Sequence, residues 1–290
     1  MPDDVKVSVV IPLFNADGWI DEQLASLVAQ DFTEAWEVVV ADNGSTDGSR
    51  DRAAAFADRL NLRIVDASDC PGGPHARNVG AREARGQYLA FCDQDDVAAP
   101  GWISSLYAAA KPEVILGGVR DPSKLNSEIA NVTRGGERND GLTPGPCELM
   151  PVVWTANMLI SRKWFFELGG FDESLKVGDD ADLCYRAQLA GHKLEFVSDA
   201  VMYYRYREDL RSMVHQLTTY SVWEAEMYKR YRVAGAHRRS LATVGRRWWW
   251  DVSRAPLALL SEKRRFIWCS LACQDFGKLK GSWASRVFYP

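Results

Sequence analysis

The 290-residue chain is predicted to be an α/β protein, with a mostly parallel sheet covered by helices on both faces and a helical extension at its C-terminal end. Four short β-branched runs alternate with helical patterns in the first hundred residues, which is typical of a parallel sheet. The last third of the chain has mostly helical patterns. A composition of 47% hydrophobic and 26% charged residues is that of an ordinary globular protein and excludes general disorder.

The alternation of elements begins with a buried strand. The predicted strands are residues 5–14, 36–42, 62–67 and 87–93, and the predicted helices between them are residues 18–30, 48–60 and 74–84. From residue 112 to about residue 151 the sequence becomes rich in Gly, Pro and polar residues, so we expect a flexible loop at about 120–150. Order resumes at "VVWTANMLI" and "DDADLCYRAQLAGH".

Charge and cysteine usage restrict the class of protein. The net charge of -4 conceals an asymmetry, because from residue 205 onward 17 Lys and Arg stand against 7 Asp and Glu. The six cysteines form no Cys-x-x-Cys pair and have no histidine spacing typical of zinc, so we interpret them as reduced thiols. The first residues are acidic where a signal peptide is basic, and no apolar run reaches membrane-spanning length, so we expect a cytoplasmic protein.

Polar loops follow three of the predicted strands, and ligands bind at the carboxyl ends of strands in open α/β sheets. The loops "ADNGSTDGSRD", "CPGGPHARN" and "DQDD" should therefore converge. The chain has neither a Gly-x-Gly-x-x-Gly after the first strand nor a P-loop, so Asp93, Asp95 and Asp96 favour a divalent cation, Mg²⁺ or Mn²⁺, that bridges to a diphosphate. On a continued strand Asp93 and Asp95 would share a face, and Asp96 would point elsewhere. A charged turn in which Asp96 caps the next helix is the alternative.

Five ordered motifs resemble the inverting glycosyltransferases of family 2, which have the GT-A fold. They span roughly residues 5–207 and read "VSVVIPLFN", "VVVADNGSTDGS", "GGPHARNVGAREARGQYLAFCDQDD", "LGGFDES" and "GDDADLCYRAQLAGH". The resemblance implies transfer of a sugar from a nucleoside diphosphate sugar, with UDP or dTDP favoured, to an acceptor hydroxyl with inversion. It also implies a GT-A catalytic domain at residues 1–207, in which residues 1–111 bind the donor and residues 112–207 the acceptor, before a basic, Trp-rich region at residues 208–290.

On the donor side, the same resemblance places Asp95 on the metal that bridges the diphosphate, with Asp93 on the ribose hydroxyls or on the same metal. A bound cation would stabilise the charge that develops on the leaving nucleoside diphosphate. Asp42 resembles the carboxylate that accepts a hydrogen bond from N3–H of uracil or thymine, and turn chemistry is its alternative. Phe14 lies where the family stacks an aromatic ring on the base, with core packing as its alternative. The other residues expected at the nucleotide pocket are Pro12, Asn15, Arg77 and Asn78.

On the acceptor side, an inverting transfer needs one base within hydrogen-bond reach of the acceptor hydroxyl. The resemblance assigns that role to Asp180, with Asp179 in place of the family's Glu and able to position the acceptor. Asp182 is interpreted as a helix-start residue stabilised by the helix dipole, and helix-start use of all three aspartates is the alternative. Trp154 and Asn157 are candidates for the acceptor wall because sugars stack on indole faces, with core packing as the alternative.

One position departs from the family pattern. Many members have a histidine metal ligand where this chain has Tyr203, and tyrosine rarely binds Mg²⁺ or Mn²⁺, so this contact is either missing or supplied by water. His215 is interpreted as a helix-surface residue, and His75 as a surface or helix-start residue. The departure motivates a second hypothesis, a catalytically weak sugar-nucleotide-binding or scaffolding protein of a glycan assembly complex. A nucleotidyltransferase is disfavoured because "PLFNADGW" lacks the Gly-rich basic loop that holds a triphosphate.

The C-terminal region contains the stretch "VGRRWWWDVSRAPLALLSEKRRF". Three consecutive tryptophans beside arginines are typical of a segment that lies on an anionic membrane surface rather than crossing it. The alternative is a set of helices that pack on the catalytic domain or on a second subunit of a homo-oligomer. With the membrane interpretation, the acceptor would be a lipid-linked glycan, and the enzyme would act as a peripheral protein at the inner face of the cell membrane in building a surface glycan. Nucleic acid is not an expected partner, because the domain with the pocket is acidic.

Overall fold

The computed structural model describes residues 4–134, 137–207 and 209–289. The chain divides into two compact units. The first contains Met1–Lys124, Arg138–Thr143 and Val152–Arg205, and the second contains Leu125–Glu137, Pro144–Pro151 and Tyr206–Pro290. The second unit therefore takes two segments from the region where we expected a flexible loop, and residues 135 and 136 of that loop lie outside the described residues.

Ten strands are present in the described residues. They are β1 Val7–Leu13, β2 Trp36–Asp42, β3 Leu62–Asp66, β4 Tyr88–Phe91, β5 Val97–Ala98, β6 Val114–Asp121, β7 Thr143–Pro144, β8 Pro151–Val152, β9 Met158–Ser161 and β10 Lys193–Tyr203. Eight of them form one sheet in the order β3-β2-β1-β4-β9-β6-β10-β5, and β7 and β8 form a separate two-stranded sheet. The strands β1 to β4 pair in parallel, as do β6 and β10, whereas β9 and β5 run antiparallel to their neighbours. The predicted mostly parallel sheet is confirmed.

The helices of the first unit follow the predicted order. They are α1 Ile20–Val28, α2 Ser49–Ala54, α3 Gly73–Glu83, α4 Trp102–Ala109, α6 Arg162–Glu167 and α7 Asp179–Leu189. Helix α2 is half as long as the predicted helix 48–60. Beyond its end the backbone forms 3₁₀-type hydrogen bonds between residues three apart, such as Phe56 N–H to Ala53 O at 3.2 Å. The prediction of a helix at this position is confirmed, but the predicted length was wrong.

Close packing against the sheet fixes the position of α3. The strands β1 and β2 are almost wholly buried, as expected for parallel strands covered on both faces. A Cβ atom on Gly80 of α3 would lie 2.6 Å from Val10 Cγ1 of β1, so only a glycine allows this approach. Helix α3 is thereby fixed with its first turns at the carboxyl ends of these strands.

The second unit is helical, as predicted for the C-terminal region. Its helices are α5 Glu128–Arg134, α8 Leu210–Tyr231, α9 Leu241–Arg254 and α10 Glu262–Ala284. Helices α8 and α10 approach closely because α10 carries Gly281, where a Cβ would lie 2.3 Å from Val222 O. The side chains of Asp209, Ser240 and Ser261 cap the first turns of α8, α9 and α10. Within the described part of the chain, no helix has the length and apolarity needed to cross a membrane.

Candidate active site

The carboxyl ends of β1, β2 and β4 are joined by side chains of the loops that follow them. Gln94, which follows β4, accepts a hydrogen bond from Phe14 N–H at 2.7 Å and donates one to Phe14 O at 3.0 Å. Asn15 adopts a left-handed backbone with φ of 48°. Its Oδ1 accepts from Thr46 N–H at 2.9 Å, and its own N–H donates to Ser45 Oγ at 3.2 Å. These contacts connect "ADNGSTDGSRD" and "DQDD" through the loop after β1, and Asn43 donates to Cys70 O at 2.8 Å, so "CPGGPHARN" joins them as expected.

The aspartates of "DQDD" lie in a turn, which we call the acidic turn (residues 92–96). Strand β4 ends at Phe91, so the argument that Asp93 and Asp95 share the face of a strand was wrong. Asp96 is buried, and its Oδ1 accepts from Arg205 N–H at 2.9 Å. It does not cap the next helix, because α4 begins at Trp102 with Gly101 as its N-cap.

The acidic turn carries three carboxylates, of which that of Asp96 is buried. Burial and the neighbouring carboxylates of Asp95 and Asp93 raise the pKa of Asp96 well above its ordinary value. Its Oδ2 is buried and has no hydrogen-bond partner among the described residues. The acidic turn offers carboxylate oxygens, which Mg²⁺ and Mn²⁺ prefer as ligands, but among the described residues its three carboxylates do not form a cluster of three ligand atoms. The ligand type therefore fits a divalent cation that fewer than three of these side chains would hold.

Arg77 connects the acidic turn to the start of α7. Its Nη2 lies 2.8 Å from Asp93 Oδ1, and its Nη1 lies 3.3 Å from Asp179 Oδ2. Burial opposes the charge of this guanidinium, but the carboxylates of Asp93 and Asp179 outweigh burial and raise the pKa of Arg77 above its ordinary value. Arg77 was expected to line the nucleotide pocket, and that role stays a prediction. In the structure it pairs with one carboxylate from the expected donor side and one from the expected acceptor side.

Asp179 and Asp180 form the first turn of α7, after Gly178 with φ of 83°. Burial raises the pKa of Asp179, and Arg77 opposes that shift. Burial and then the adjacent Asp179 raise the pKa of Asp180 to about 7. The backbone N–H of Ala181 holds the Asp180 carboxylate by a hydrogen bond of 2.8 Å. A carboxylate that titrates near neutral pH is suited to accept a proton.

Asp182 has a different environment from its two neighbours. It lies in the first turn of α7, as interpreted, but its Oδ2 pairs with Arg186 Nε at 2.7 Å. The guanidinium of Arg186 also donates to Leu168 O and, at 2.7 Å, to Gly170 O. This pair therefore fixes α7 to the turn before Phe171.

Two candidate residues have side-chain amides occupied by hydrogen bonds within the protein, so the structure corrects their assignments. Asn78 donates to Phe171 O at 2.9 Å and to Glu173 Oε1 at 2.8 Å, and accepts from Phe171 N–H at 3.0 Å. It holds the "GGFDE" turn and offers no group to a nucleotide. Asn157 is 2% exposed; it donates to two backbone carbonyls at 2.9 Å and accepts from Trp102 Nε1 at 2.8 Å. Its alternative, core packing, is what the structure has.

The remaining donor and acceptor candidates are at the surface of the site or at its edge. Phe14 is 54% exposed, which excludes core packing for its ring. Asp42 is buried and held by Ser45 N–H at 3.0 Å and Arg50 Nη1 at 3.1 Å, so it does perform the turn chemistry of its alternative. Pro12 lies within β1. Trp154 is half-buried, and the Arg120 guanidinium lies 5.1 Å from its ring centroid. The ligand-binding roles of these residues stay predictions.

The environments of Tyr203, His215 and His75 differ from one another. Tyr203 ends β10, and Lys124 Nζ lies 3.8 Å from its ring centroid, so a cation already occupies one ring face. His215 is exposed on α8, as interpreted. His75 starts α3 but is buried, so the surface interpretation was wrong. Its Nδ1 lies 2.6 Å from Glu173 Oε2 and its Nε2 lies 2.8 Å from Asp69 Oδ1.

Sequence reasoning missed several residues that build the site. These residues are Gln94, Arg50 and Arg205, together with the partners of His75. Burial lowers and the two carboxylates raise the pKa of His75, with a net increase. Only the motif context of "DQDD" could have drawn attention to Gln94, because its contacts are with a loop 80 residues earlier.

Two family models match the chain. The model described as "Glycosyl transferase family 2" matches residues 8–169, and that described as "Glycosyl transferase family group 2" matches residues 143–285. Validoxylamine A glucosyltransferase of Streptomyces hygroscopicus subsp. limoneus is 34% identical over 218 residues, which are 64% of this chain and 48% of that protein. The chain spans about half the length of the curated relatives it matches, 48% and 52% for two of them.

Solved structures with similar folds cover nearly the whole chain. The mannosyltransferase PcManGT of Pyrobaculum calidifontis, in complex with GDP-Man and Mn²⁺, has a TM-score of 0.65 and 21% identity, and the match covers 96% of this chain and 90% of that one. TarS 1–349 of S. aureus, in complex with UDP, has a TM-score of 0.54 and 18% identity, with coverage of 99% and 93%. At these identities the similarity concerns the fold, which is of the GT-A type.

Proposed function

The chain belongs to glycosyltransferase family 2, and from that premise we propose that it transfers a sugar from a nucleoside diphosphate sugar to an acceptor hydroxyl, with inversion at the anomeric carbon. The observation that carries the proposal is the Arg77 guanidinium, which holds Asp93 of the acidic turn and Asp179 beside Asp180 in one constellation. The same side chain thus holds one carboxylate of the proposed donor side and the carboxylate next to the candidate base. An inverting displacement needs both in fixed geometry.

The donor is proposed to bind along the acidic turn and the ends of β1 and β2. Asp42 has a buried carboxylate that can accept N3–H of uracil or thymine in addition to its present partners, which favours UDP or dTDP. The exposed ring of Phe14 is available to stack on the base. The TarS complex with UDP is a structural neighbour consistent with that choice.

A divalent cation is proposed to be held by Asp95 and by the second oxygen of Asp93, since Arg77 occupies the first. When bound, Mg²⁺ or Mn²⁺ would neutralise negative charge on the diphosphate of the donor. The PcManGT structure, a complex with GDP-Man and Mn²⁺, supports a cation in this class of fold. With Lys124 over the ring face of Tyr203, water is proposed to complete the coordination.

Asp180 is proposed as the base. As the acceptor oxygen attacks the anomeric carbon, the new carbon–oxygen bond forms, the bond to the diphosphate breaks, and the hydroxyl proton moves to the Asp180 carboxylate. A pKa of about 7 lets this group be ionised before transfer and hold the proton afterwards. Asp179, held by Arg77, keeps a second carboxylate beside the acceptor position.

A second candidate function is a catalytically weak sugar-nucleotide-binding or scaffolding role. The observation that favours it is Tyr203, covered by Lys124, at the position where many family members have a metal ligand. A measurement of donor turnover distinguishes the transferase from the binding or scaffolding protein.

The second unit is proposed to bind an anionic membrane surface, which would bring the enzyme to a lipid-linked glycan acceptor. Trp249, Leu259 and Leu260 are 71%, 87% and 65% exposed, and the basic residues 263–265 that follow are exposed as well. Exposed indole and leucine side chains next to arginines match the interface between headgroups and acyl chains. A homo-oligomer that covers the same side chains is the alternative.

Nucleotide binding tests the donor and metal proposals. Uridine diphosphate should raise the melting temperature much more with Mn²⁺ than with excess chelator, because the carboxylates of the acidic turn repel the diphosphate until a cation lies between them. Asp95→Asn should remove the Mn²⁺-dependent increment, whereas the exposed Asp58→Asn should keep it. An equal shift in chelator would remove the metal from the proposal.

The base assignment is tested by single-turnover transfer over a range of pH. The wild-type rate should rise as pH passes through about 7, because Asp180 must lose its proton to act. Asp180→Asn should lower the rate by roughly 10² to 10⁴ and abolish this acidic limb, with nucleotide affinity unchanged. Asp182→Asn should lower stability through loss of the Arg186 pair but keep the rate of the folded protein within about tenfold. A larger rate loss in Asp182→Asn would show that the base is misassigned.

Vesicle co-sedimentation tests the membrane proposal. Vesicles with phosphatidylglycerol should bind the full chain more strongly than neutral phosphatidylcholine vesicles, and added salt should weaken binding because the Debye length contracts to about 8 Å at physiological ionic strength. The double variant Trp249→Ser/Leu260→Ser should bind weakly. Leu189→Ser, which removes an exposed leucine of the first unit, should bind like the wild type. Equal binding to both vesicle types would contradict the proposal.

A further inference from the structure

A second cluster of metal-ligating side chains lies outside the acidic turn. Cys70, His75 and Glu173 each offer one ligand atom, and these atoms all lie within 4.8 Å of one another. We propose that these three residues form a zinc site. A thiolate, an imidazole and one carboxylate make a donor set that zinc and cobalt(II) prefer, whereas Mg²⁺ and Mn²⁺ prefer oxygen ligands alone. The chain would then have two metal sites that select different classes of ion.

The outer partners of a zinc site are already in place. His75 Nδ1 lies 2.6 Å from Glu173 Oε2, and its Nε2 lies 2.8 Å from Asp69 Oδ1. Zinc on Nδ1 leaves the Nε2–H to donate to Asp69, which is the carboxylate–histidine–zinc arrangement that orients metal-bound imidazoles. Asn78 donates to the other oxygen of Glu173 at 2.8 Å, so that Oε2 is the oxygen directed to the metal.

The loop that carries Cys70 is ordered by its own contacts. Asn43 donates to Cys70 O at 2.8 Å and accepts from Gly72 N–H at 2.7 Å, so one side chain fixes the backbone on both sides of Pro71. Zinc–ligand bonds of about 2.0 to 2.3 Å place ligand atoms about 3.5 Å apart, so the 2.6 Å between His75 Nδ1 and Glu173 Oε2 must widen when zinc binds. When it binds, Zn²⁺ replaces the thiol proton of Cys70 and the proton shared by His75 and Glu173. These two protons are released to solvent.

The position of the site gives it a structural role. It joins the start of α3 to the turn that contains Glu173, and Asn78 of the same helix holds Phe171 in that turn. Arg77 lies between His75 and Asn78 on α3, so zinc would fix the helix segment from which Arg77 reaches Asp93 and Asp179. Three protein ligands leave a fourth position for water.

The test uses the full chain after removal of metals, titrated with cobalt(II) and with zinc. Cobalt(II) should give a thiolate-to-metal charge-transfer band, and zinc should displace it with one zinc per chain and a higher melting temperature. Cys70→Ser should abolish the band and weaken zinc binding by at least tenfold. Cys269→Ser, which changes another partly buried cysteine, should leave both unchanged, and Asp95→Asn should keep the band because the acidic turn has no thiolate.

The outcomes decide the proposal without any measurement of transferase activity. A wild-type protein with no thiolate band, or zinc affinity equal in Cys70→Ser and wild type, would overturn it, and His75 would then be a protonated bridge between two carboxylates. Loss of the band in Cys269→Ser would also overturn it. Glu173→Gln should weaken zinc binding; should this variant fail to fold, Cys70→Ser still gives the answer, because serine replaces the thiol with little change in volume.

Discussion

One buried arginine holds the candidate site together. Arg77 is nearly enclosed, and its guanidinium lies between Asp93 and Asp179, which come from the acidic turn and from the start of α7. A buried guanidinium is stable only when carboxylates satisfy it, and carboxylates this close repel one another without a cation between them. Each side therefore depends on the other, and the geometry of the proposed donor and acceptor sides follows from this pairing.

Packing of the backbone around Arg77 places its guanidinium between the two carboxylates. Gly80 brings α3 against Val10 of β1, and Asn78 holds the turn at Phe171 through three hydrogen bonds. Arg77 lies on the same helix as these two fixed residues, which restricts the partners that its side chain can reach. Burial, and after it the neighbouring carboxylates, raise the pKa values of Asp96 and Asp180, which favours the protonated form of both side chains. In the proposed mechanism Asp180 accepts the proton, and Asp95 and Asp93 hold the cation.

The sequence predicted the fold better than the roles of single residues. Runs of β-branched residues identify β1 to β4 because buried parallel strands need apolar side chains on both faces. The pairing of Asn78 with Phe171 spans 93 residues, and no local pattern reveals it. Asn78 and Asn157 have the side chains of ligand-binding residues, yet both satisfy backbone groups. The strand alternation assumed for Asp93 failed because β4 ends two residues earlier, where side-chain direction follows the turn instead of the pleat.

The central claim is that Arg77 couples the two carboxylates, and a double-mutant cycle on urea unfolding tests it most directly. Arg77→Gln should lower the free energy of unfolding by about 3 to 5 kcal/mol. It should couple to Asp93→Asn and to Asp179→Asn by about 1 kcal/mol or more in each cycle. The exposed Arg82→Gln on the same helix should show no such coupling. Effects of Arg77→Gln that add to those of either aspartate variant within about 0.5 kcal/mol would contradict the account.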